Sequence, residues 1–316
     1  MFMGRDFKHA CVTGGAGFIG SHLVEALLRK RLAVTVLDDL SVGKRENVPS
    51  GVPIVAGDIL DTELVTDTLS GCDVVFHLAA RVAIRSSFES AVQDTMTNVV
   101  GTASVLRAAR SAGSVRKVIT ASSMAVYGDA ADQVPIPENL TTDPISPYGV
   151  SKRAAERLTH VMCSEAGMQS VVLRLFNTYG ARQALSPYVG VITIFINRLL
   201  NKESPTIFGD GEQCRDFVQA QDVAMAFVRA MDANVAGETF NIGSGVSRTV
   251  NEVLNCLNRI IGAEIPAQYV EAVPGELHYS VADISKARRL LGYEPVQNFD
   301  SSLQDLVVEF QGSMLA

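Results

Sequence analysis

The residues Thr13-Gly14-Gly15-Ala16-Gly17-Phe18-Ile19-Gly20 join a predicted strand, His9–Thr13, to a predicted helix, Phe18–Lys30. The glycines at positions 14, 17 and 20 each meet a different requirement of a turn between a strand and a helix. The first permits a tight turn, the second lets backbone amides approach a pyrophosphate, and the third lets the helix pack closely on the sheet. The N-terminus of the helix also favours an anion. This stretch therefore predicts a dinucleotide-binding turn.

Acidic residues follow the second predicted strand, Val34–Leu37. Asp38 lies eighteen residues after Gly20, where a carboxylate can accept hydrogen bonds from both ribose hydroxyls of a dinucleotide. Asp39 adds a second negative charge, which would repel a 2′-phosphate, so the pair favours NAD over NADP. The alternative interpretation, a glycine-rich structural turn beside surface acids, stays open at this point.

Short apolar runs and helical stretches alternate through the first half of the chain. Further strands are predicted at Pro53–Ala56, Asp73–Leu78, Lys117–Ala121 and Ser170–Leu175, and helices at Val99–Ala112 and Tyr148–Ala166. Regular alternation of this kind is typical of a doubly wound α/β fold, in which helices cover both faces of a parallel sheet.

The pattern changes after residue 180. A loop (Ala181–Gly190) precedes a predicted helix (Val191–Asn201) and the predicted strands Pro205–Phe208 and Asp216–Gln219. We therefore expect a dinucleotide-binding domain over residues 1–180 and a smaller, interleaved lobe over residues 181–316. Within residues 220–243, Thr239–Ile242 is predicted to be a strand that rejoins the main sheet.

Composition excludes several classes of protein. The net charge of −7, without a basic run, makes nucleic acid an unsuitable partner. The cysteines are odd in number and scattered, with no C-x-x-C pair, so neither a disulfide framework nor a zinc or other metal site is indicated. The N-terminus does not resemble a signal peptide, and no apolar run is long enough to span a membrane. We expect a soluble, cytoplasmic protein with reduced thiols.

The residues Tyr148-Gly149-Val150-Ser151-Lys152 place a phenol and an ammonium four positions apart. On a helix this spacing puts both on one face, and Ser146 and Pro147 suit the start of such a helix. A lysine cation, helped by a positive nicotinamide, is expected to lower the pKa of the phenol towards neutrality. Tyr148 is then a candidate general base. Taken alone, the motif also fits an ordinary amphipathic helix.

The fifth predicted strand leads into Ser122-Ser123-Met124-Ala125-Val126-Tyr127-Gly128. Ligands of open α/β sheets bind beyond the carboxyl ends of the strands. A serine hydroxyl there could share a proton between a substrate oxygen and Tyr148. The glycine turn, Asp38, the serine and the Tyr-Lys pair are far more specific in this order than any of them is alone.

These motifs resemble the extended short-chain dehydrogenase/reductase superfamily, and within it the nucleotide-sugar epimerases. The resemblance runs from Thr13 to about Gly292 and implies a Rossmann fold, NAD as cofactor and the catalytic residues Ser123, Tyr148 and Lys152. Sugar 4,6-dehydratases of this superfamily carry an Asp-Glu pair where this chain has Met124-Ala125, so dehydration is disfavoured. The cofactor-binding residues implied are Gly14, Gly17, Phe18, Ile19, Gly20, Asp38, Asp39, Ser41, Gly43, Asp58, Ile59, Leu78, Ala79, Ala80, Asn98, Ser122, Tyr148 and Lys152.

The resemblance also implies that residues 181–316 bind a nucleotide sugar, most simply a UDP-sugar. The substrate-binding residues implied are Arg85, Ser123, Tyr148, Asn177, Val191, Thr206, Phe208, Arg215, Glu276 and Ser280. Val273 departs from the family pattern, because it stands where many members have a phosphate-binding arginine. Arg182 or His278 could compensate. Ser280 stands near the position where a bulky aromatic excludes N-acetyl sugars from some epimerases, so a serine suggests that UDP-N-acetylhexosamines fit as well as UDP-hexoses.

The implied reaction inverts C4 of the sugar through a transient 4-keto intermediate. The alternatives left open are another nucleotide-sugar enzyme of the superfamily (a uronate 4-epimerase, a reductase or a decarboxylase) and a non-catalytic NAD-sensing protein. The helices Val99–Ala112 and Tyr148–Ala166 carry more apolar surface than one sheet need bury. In relatives the equivalent pair forms a dimer interface, so a homodimer is expected.

Overall fold

The first strand shows that the central sheet is buried on both faces. In the computed structural model, which describes residues 7–82, 86–128, 134–185, 190–272 and 277–315, Ala10 and Val12 belong to one buried apolar cluster and Cys11 belongs to another. Successive side chains of a strand point to opposite faces of a sheet. An apolar core therefore covers each face, as in parallel sheets enclosed by helices.

The central sheet confirms the predicted doubly wound fold. The strands in chain order are β1 (His9–Thr13), β2 (Ala33–Asp38), β3 (Ile54–Ala56), β4 (Val74–His77), β5 (Lys117–Ser123), β6 (Gln169–Leu175), β7 (Asn177–Tyr179), β8 (Thr206–Phe208), β9 (Cys214–Gln219), β10 (Glu238–Ile242), β11 (Ser247–Thr249), β12 (Gln268–Val270) and β13 (Tyr279–Ser280). Among the described residues, seven of them form the main sheet in the order β10-β6-β5-β4-β1-β2-β3, and all its pairings are parallel. The strand predicted at Thr239–Ile242 does rejoin this sheet, beside β6.

The helices lie on both faces of the main sheet. They are α1 (Phe18–Arg29), α2 (Thr62–Leu69), α3 (Ala91–Thr95), α4 (Thr102–Ala112), α5 (Pro147–Glu165), α6 (Val191–Leu200), α7 (Ala220–Asp232), α8 (Val250–Ile261), α9 (Ser285–Leu291) and α10 (Phe299–Leu315). Helices α1 and α7 contribute to the apolar cluster on one face, while α2, α4 and the end of α5 contribute to the cluster on the other. Since all strands run in one direction, their carboxyl ends form a single edge, where this class of fold binds ligands.

Local structure differs from the sequence prediction at several element ends. Strand β5 continues to Ser123, two residues beyond its predicted end. The first three residues of the helix predicted at Val99–Ala112 belong instead to a π-helical segment, Met96–Gly101, which runs into α4. Helix α5 begins at Pro147, and its predicted cap is present because the Ser146 hydroxyl accepts a hydrogen bond from the Gly149 amide at 3.1 Å.

The remaining strands belong to a smaller lobe with its own core. Strand β9 pairs with β7, β11 and β13, and β8 pairs with β12. Side chains of α6, α8 and α10 form an apolar cluster with Ile207 and Phe217. Within the described part of the chain, no helix has both the length and the apolar character that crossing a bilayer demands. The boundary predicted at residue 180 stays a prediction.

Candidate active site

The glycine turn leaves no room for side chains at its two ends. Gly14 has a φ of +70°, and a Cβ added there would lie 2.7 Å from the Ala79 nitrogen. A Cβ added at Gly20 would lie 2.1 Å from the Gly14 carbonyl oxygen. No side chain caps the start of α1 at Gly17, and its first turn carries no acid. The turn therefore offers a helix N-terminus to an anion at the carboxyl edge of the sheet, which fits a pyrophosphate.

Asp38 is buried and faces the turn. Its Oδ2 accepts a hydrogen bond from the Ala16 amide at 2.9 Å and its Oδ1 accepts one from Leu40 at 2.9 Å. Burial raises the pKa of Asp38, and these backbone hydrogen bonds oppose the rise. A carboxylate can accept about four hydrogen bonds, so acceptor capacity remains for ribose hydroxyls. Asp39 is exposed and accepts from the Ser41 amide and hydroxyl.

The other cofactor candidates fall into two groups. One group has accessible surface: Asp58 is exposed, and six residues are partly buried, namely Phe18, Ile19, Gly43, Leu78, Ala79 and Ala80. The other group is buried and includes Ile59. Asn98 and Ser122 are also buried, and their side chains already hydrogen bond protein groups. Asn98 binds Arg81 and Ser151, while the Ser122 hydroxyl donates to Glu156 at 2.6 Å. These two residues can position the site more readily than they can contact a dinucleotide.

Ser123, Tyr148 and Lys152 meet where β5 ends and α5 begins. Tyr148 and Lys152 are buried, 4% and 6% exposed, one helical turn apart. The Ser123 side chain lowers the pKa of the Tyr148 phenol, and its Oγ accepts a hydrogen bond from the Ala125 amide at 3.2 Å. The structure thus brings the three predicted catalytic residues together at the carboxyl edge that also holds the glycine turn.

Burial shifts the pKa values of both Tyr148 and Lys152. Burial raises the pKa of Tyr148 to about 12, and the lowering effect of the Ser123 side chain offsets only part of that rise. Burial also lowers the pKa of Lys152 to about 8, although the nearby Glu156 carboxylate raises it. Burial thus dominates the pKa of Tyr148 in the protein's own environment. The expectation that Lys152, together with a positive nicotinamide, lowers this pKa towards neutrality stays a prediction.

A buried ion pair beneath the trio was missed in the sequence. Arg174 of β6 binds both carboxylate oxygens of Glu156, at 2.8 and 2.9 Å, and both side chains are almost fully buried. Glu156 lies one turn beyond Lys152 on α5, so the four-residue spacing was the available signal. Glu156 thereby links α5 to Arg174 of β6 and, through the Ser122 hydroxyl, to β5.

The candidate substrate residues lie on the smaller lobe and on β7. Asn177 begins β7, and its buried Oδ1 has no hydrogen-bond partner among the described residues. Arg215 of β9 and Ser280 of β13 are buried register partners, and the Ser280 hydroxyl also lacks a partner there. The remaining candidates are partly exposed: Val191 begins α6, and Thr206 and Phe208 lie on β8.

Some sequence predictions about the phosphate site cannot be placed. Arg85, Val273 and Glu276 lie outside the described residues. Of the two residues suggested to compensate for Val273, Arg182 donates a hydrogen bond to Glu25 of α1, so its charge already has a counter-ion. His278 is exposed at the start of the segment that leads into β13.

Comparison with known proteins identifies what this arrangement is similar to. A profile of the NAD dependent epimerase/dehydratase family matches residues 10–243. A UDP-glucose 4-epimerase of Mycolicibacterium smegmatis is 38% identical over 90% of this chain and 92% of its own length. A UDP-N-acetyl-alpha-D-glucosaminuronate decarboxylase of Bacillus cytotoxicus is 30% identical over 96% of this chain and 98% of its own. The structure of a UDP-N-acetylglucosamine 4-epimerase of Methanobrevibacter ruminantium, in complex with UDP-N-acetylmuramic acid, is 34% identical, with a TM-score of 0.92 over 98% of this chain and 100% of that one.

Proposed function

This chain is a member of the NAD dependent epimerase/dehydratase family, and from that premise we propose that it inverts C4 of a UDP-hexose or UDP-N-acetylhexosamine. The observation that carries the proposal is the buried phenol of Tyr148, at the start of α5, beside the end of β5 at the same sheet edge as the glycine turn. A buried acid–base group beside a dinucleotide turn fits oxidation of an alcohol carbon.

In the proposed reaction, Tyr148 and Ser123 handle the proton of the sugar O4 hydroxyl. The phenolate oxygen of Tyr148 accepts that proton through the Ser123 hydroxyl as C4 is oxidised to a ketone. Tyr148 returns the proton to O4 when C4 is reduced from the opposite face. The charge of Lys152 favours the phenolate during this exchange.

The residues that would hold NAD are the glycine turn, through its backbone amides, and Asp38, through the ribose. The chemistry that NAD supplies when bound is reversible hydride transfer and a positive charge. Because the pKa of Tyr148 is raised to about 12, mainly by burial, Lys152 and a further positive charge are both needed to form the phenolate near neutral pH.

We assign the nucleotide diphosphate to Asn177 and Arg215. The side-chain NH2 of Asn177 can donate hydrogen bonds, and the guanidinium of Arg215 is suited to phosphate oxygens. A substrate held at its diphosphate can present either face of its sugar ring without leaving the lobe. Such a tether is required if the 4-keto sugar is to be reduced from the opposite face.

The proposal is tested by incubating the purified protein with UDP-, GDP-, dTDP- and CDP-sugars and analysing the products by NMR. Interconversion of C4 epimers of a UDP-sugar, with NAD in catalytic amounts only, is the expected result. Stoichiometric consumption of NADH would identify a reductase, released carbon dioxide a decarboxylase, and turnover of UDP-uronates alone a uronate 4-epimerase. Tight NAD binding with no turnover of any sugar would support the non-catalytic alternative.

Ser280 is proposed to leave space for an N-acetyl group. The side chain is fully buried, so the replacement Ser280→Tyr is expected to fill space beside Arg215 and to lower kcat/KM for UDP-N-acetylglucosamine at least tenfold more than for UDP-glucose. Steady-state kinetics on both sugars measure the ratio, with Ser280→Ala as the control that keeps the space. An equal loss on both sugars would contradict the assignment, provided that thermal unfolding shows an intact fold.

We further propose that the protein is a homodimer, joined through α5 and the helical stretch from α3 to α4. Val92, Met96 and Val100 recur every four residues along that stretch, and Val161 lies on α5; all are more than 40% exposed. Exposed apolar side chains that recur along one helical stretch are typical of an interface. The cytoplasmic location expected from the sequence also remains a proposal, supported by five unpaired cysteines.

The change Val161→Glu is expected to convert the dimer to a monomer at micromolar concentration, because a buried unpaired carboxylate in each subunit opposes association. Light scattering gives the mass of wild type and variant. Val308→Glu, the same change at an exposed valine on α10, is the control, and this variant should remain dimeric. A monomeric wild type, or a dimeric Val161→Glu variant, would exclude this interface.

A further inference from the structure

A buried histidine stands between the glycine turn and the catalytic helix. His77 ends β4 and is 3% exposed. Its Nδ1 lies 2.8 Å from the hydroxyl of Thr13, the residue directly before Gly14. Its Nε2 lies 2.9 Å from the hydroxyl of Thr102, at the start of α4. Both ring nitrogens are therefore engaged by side chains of different elements.

The direction of each hydrogen bond follows from the donors present. The Thr102 hydroxyl donates its only proton to the Asn98 carbonyl at 2.6 Å, so it must accept from His77 Nε2–H. The neutral ring then has an acceptor at Nδ1, to which the Thr13 hydroxyl donates. The Ala79 amide in turn donates to the Thr13 hydroxyl at 3.3 Å. Each group in this series therefore donates a hydrogen bond to the next, from the Ala79 amide through Thr13, His77 and Thr102 to the Asn98 carbonyl.

The environment of His77 favours its neutral form. Burial and, to a smaller extent, the positive charge of Lys152 lower its pKa to about 3. A charged imidazole at this position would also repel Lys152. The ring can thus act as a fixed neutral spacer behind the catalytic residues.

The chain of hydrogen bonds continues into the catalytic helix. The Asn98 amide donates to the Ser151 hydroxyl at 3.0 Å, and that hydroxyl donates to the Tyr148 carbonyl at 2.8 Å. Asn98 lies in the π-helical segment Met96–Gly101, where the widened turn sets its side chain and carbonyl relative to α4. Two series of buried hydrogen bonds, joined through Asn98, therefore connect the residue before Gly14 to the backbone of Tyr148: the first ends on the Asn98 backbone carbonyl and the second begins at its side-chain amide.

We propose that Thr13, His77 and Thr102 are positioning residues: their hydrogen bonds of one polarity hold Asn98, and the side chain of Asn98 in turn fixes the Tyr148 helix relative to the dinucleotide turn. The inference rests on the proposed epimerase function. Misplacement of reacting groups by a fraction of an ångström is costly to catalysis, whereas a distant change of this kind leaves the substrate lobe intact. Loss of one of these hydrogen bonds should therefore lower kcat and leave KM unchanged.

The test uses Thr102→Val, which removes the hydroxyl and keeps the shape. We expect kcat for the UDP-sugar to fall about tenfold with KM within about twofold of wild type, and Thr102→Ser to restore kcat. The matched control is Thr159→Val on α5, because Thr159 is also a buried helical threonine that donates to the carbonyl four residues earlier and meets a second side chain, Thr120. Its kcat should be unchanged.

A second readout does not depend on turnover. Nitrogen-15 NMR of the imidazole, assigned with His77→Asn, should show a neutral Nε2–H tautomer from pH 5 to 8 in the wild type and a mixture of tautomers in Thr102→Val. An Nδ1–H or charged ring in the wild type would overturn the inference, as would an unchanged kcat in Thr102→Val. Absence of turnover in the wild type would instead count against the proposed function, while the NMR result would still decide the polarity of the chain.

Discussion

Replacing Tyr148 with phenylalanine is expected to lower kcat for C4 epimerisation by a factor of about 10³, within the range that general acid–base catalysis supplies. The phenol is the buried group that contacts Ser123 in the candidate site. Phenylalanine keeps the ring and its packing against the core and removes only the oxygen that exchanges the proton. Steady-state kinetics at saturating UDP-sugar measure the change.

The controls for Tyr148→Phe separate catalysis from folding and binding. NAD affinity and the thermal unfolding midpoint should stay close to wild type, because the ring remains buried and no turn residue changes. Ser123→Ala should have a smaller effect than Tyr148→Phe, since water can replace a bridging hydroxyl but nothing replaces the base. Undiminished epimerisation by Tyr148→Phe would contradict the mechanism.

The sequence predicted the parts of this molecule whose geometry is set locally. The glycine turn follows from three residues in one short stretch. The start of α5 follows from Ser146, which caps the helix as predicted, and from Pro147, where the helix begins one residue before its predicted start. The return of residues 239–242 to the main sheet was predictable because an isolated apolar strand needs a partner.

Features that depend on distant partners were not predictable in the same way. Burial, which motif spacing does not report, raises the pKa of Tyr148. The π-helical segment preceding α4 and the bonds of Asn98 to Arg81 and Ser151 arise from packing between elements. Glu156 could have been noticed by its spacing from Lys152, but its partner Arg174 lies on another strand.

The replacement Gly20→Ala, at the end of the glycine turn, is expected to disturb NAD binding. The added Cβ would lie 2.1 Å from the Gly14 carbonyl oxygen and 2.8 Å from the Gly15 Cα. Both atoms belong to the backbone, so no side chain can rotate away to relieve the contact. The turn itself must shift, and with it the amides that are proposed to bind the pyrophosphate.

We therefore expect Gly20→Ala to weaken NAD binding at least a hundredfold, which corresponds to about 2.7 kcal/mol. Calorimetric titration of NAD into protein freed of cofactor gives the affinity. The control is Gly312→Ala on α10, where an added Cβ meets nothing within 4 Å and where alanine favours the helix; its NAD affinity should equal that of wild type. Unchanged NAD affinity in a folded Gly20→Ala variant would show that this turn does not hold the dinucleotide, since its backbone cannot accept the methyl group without moving.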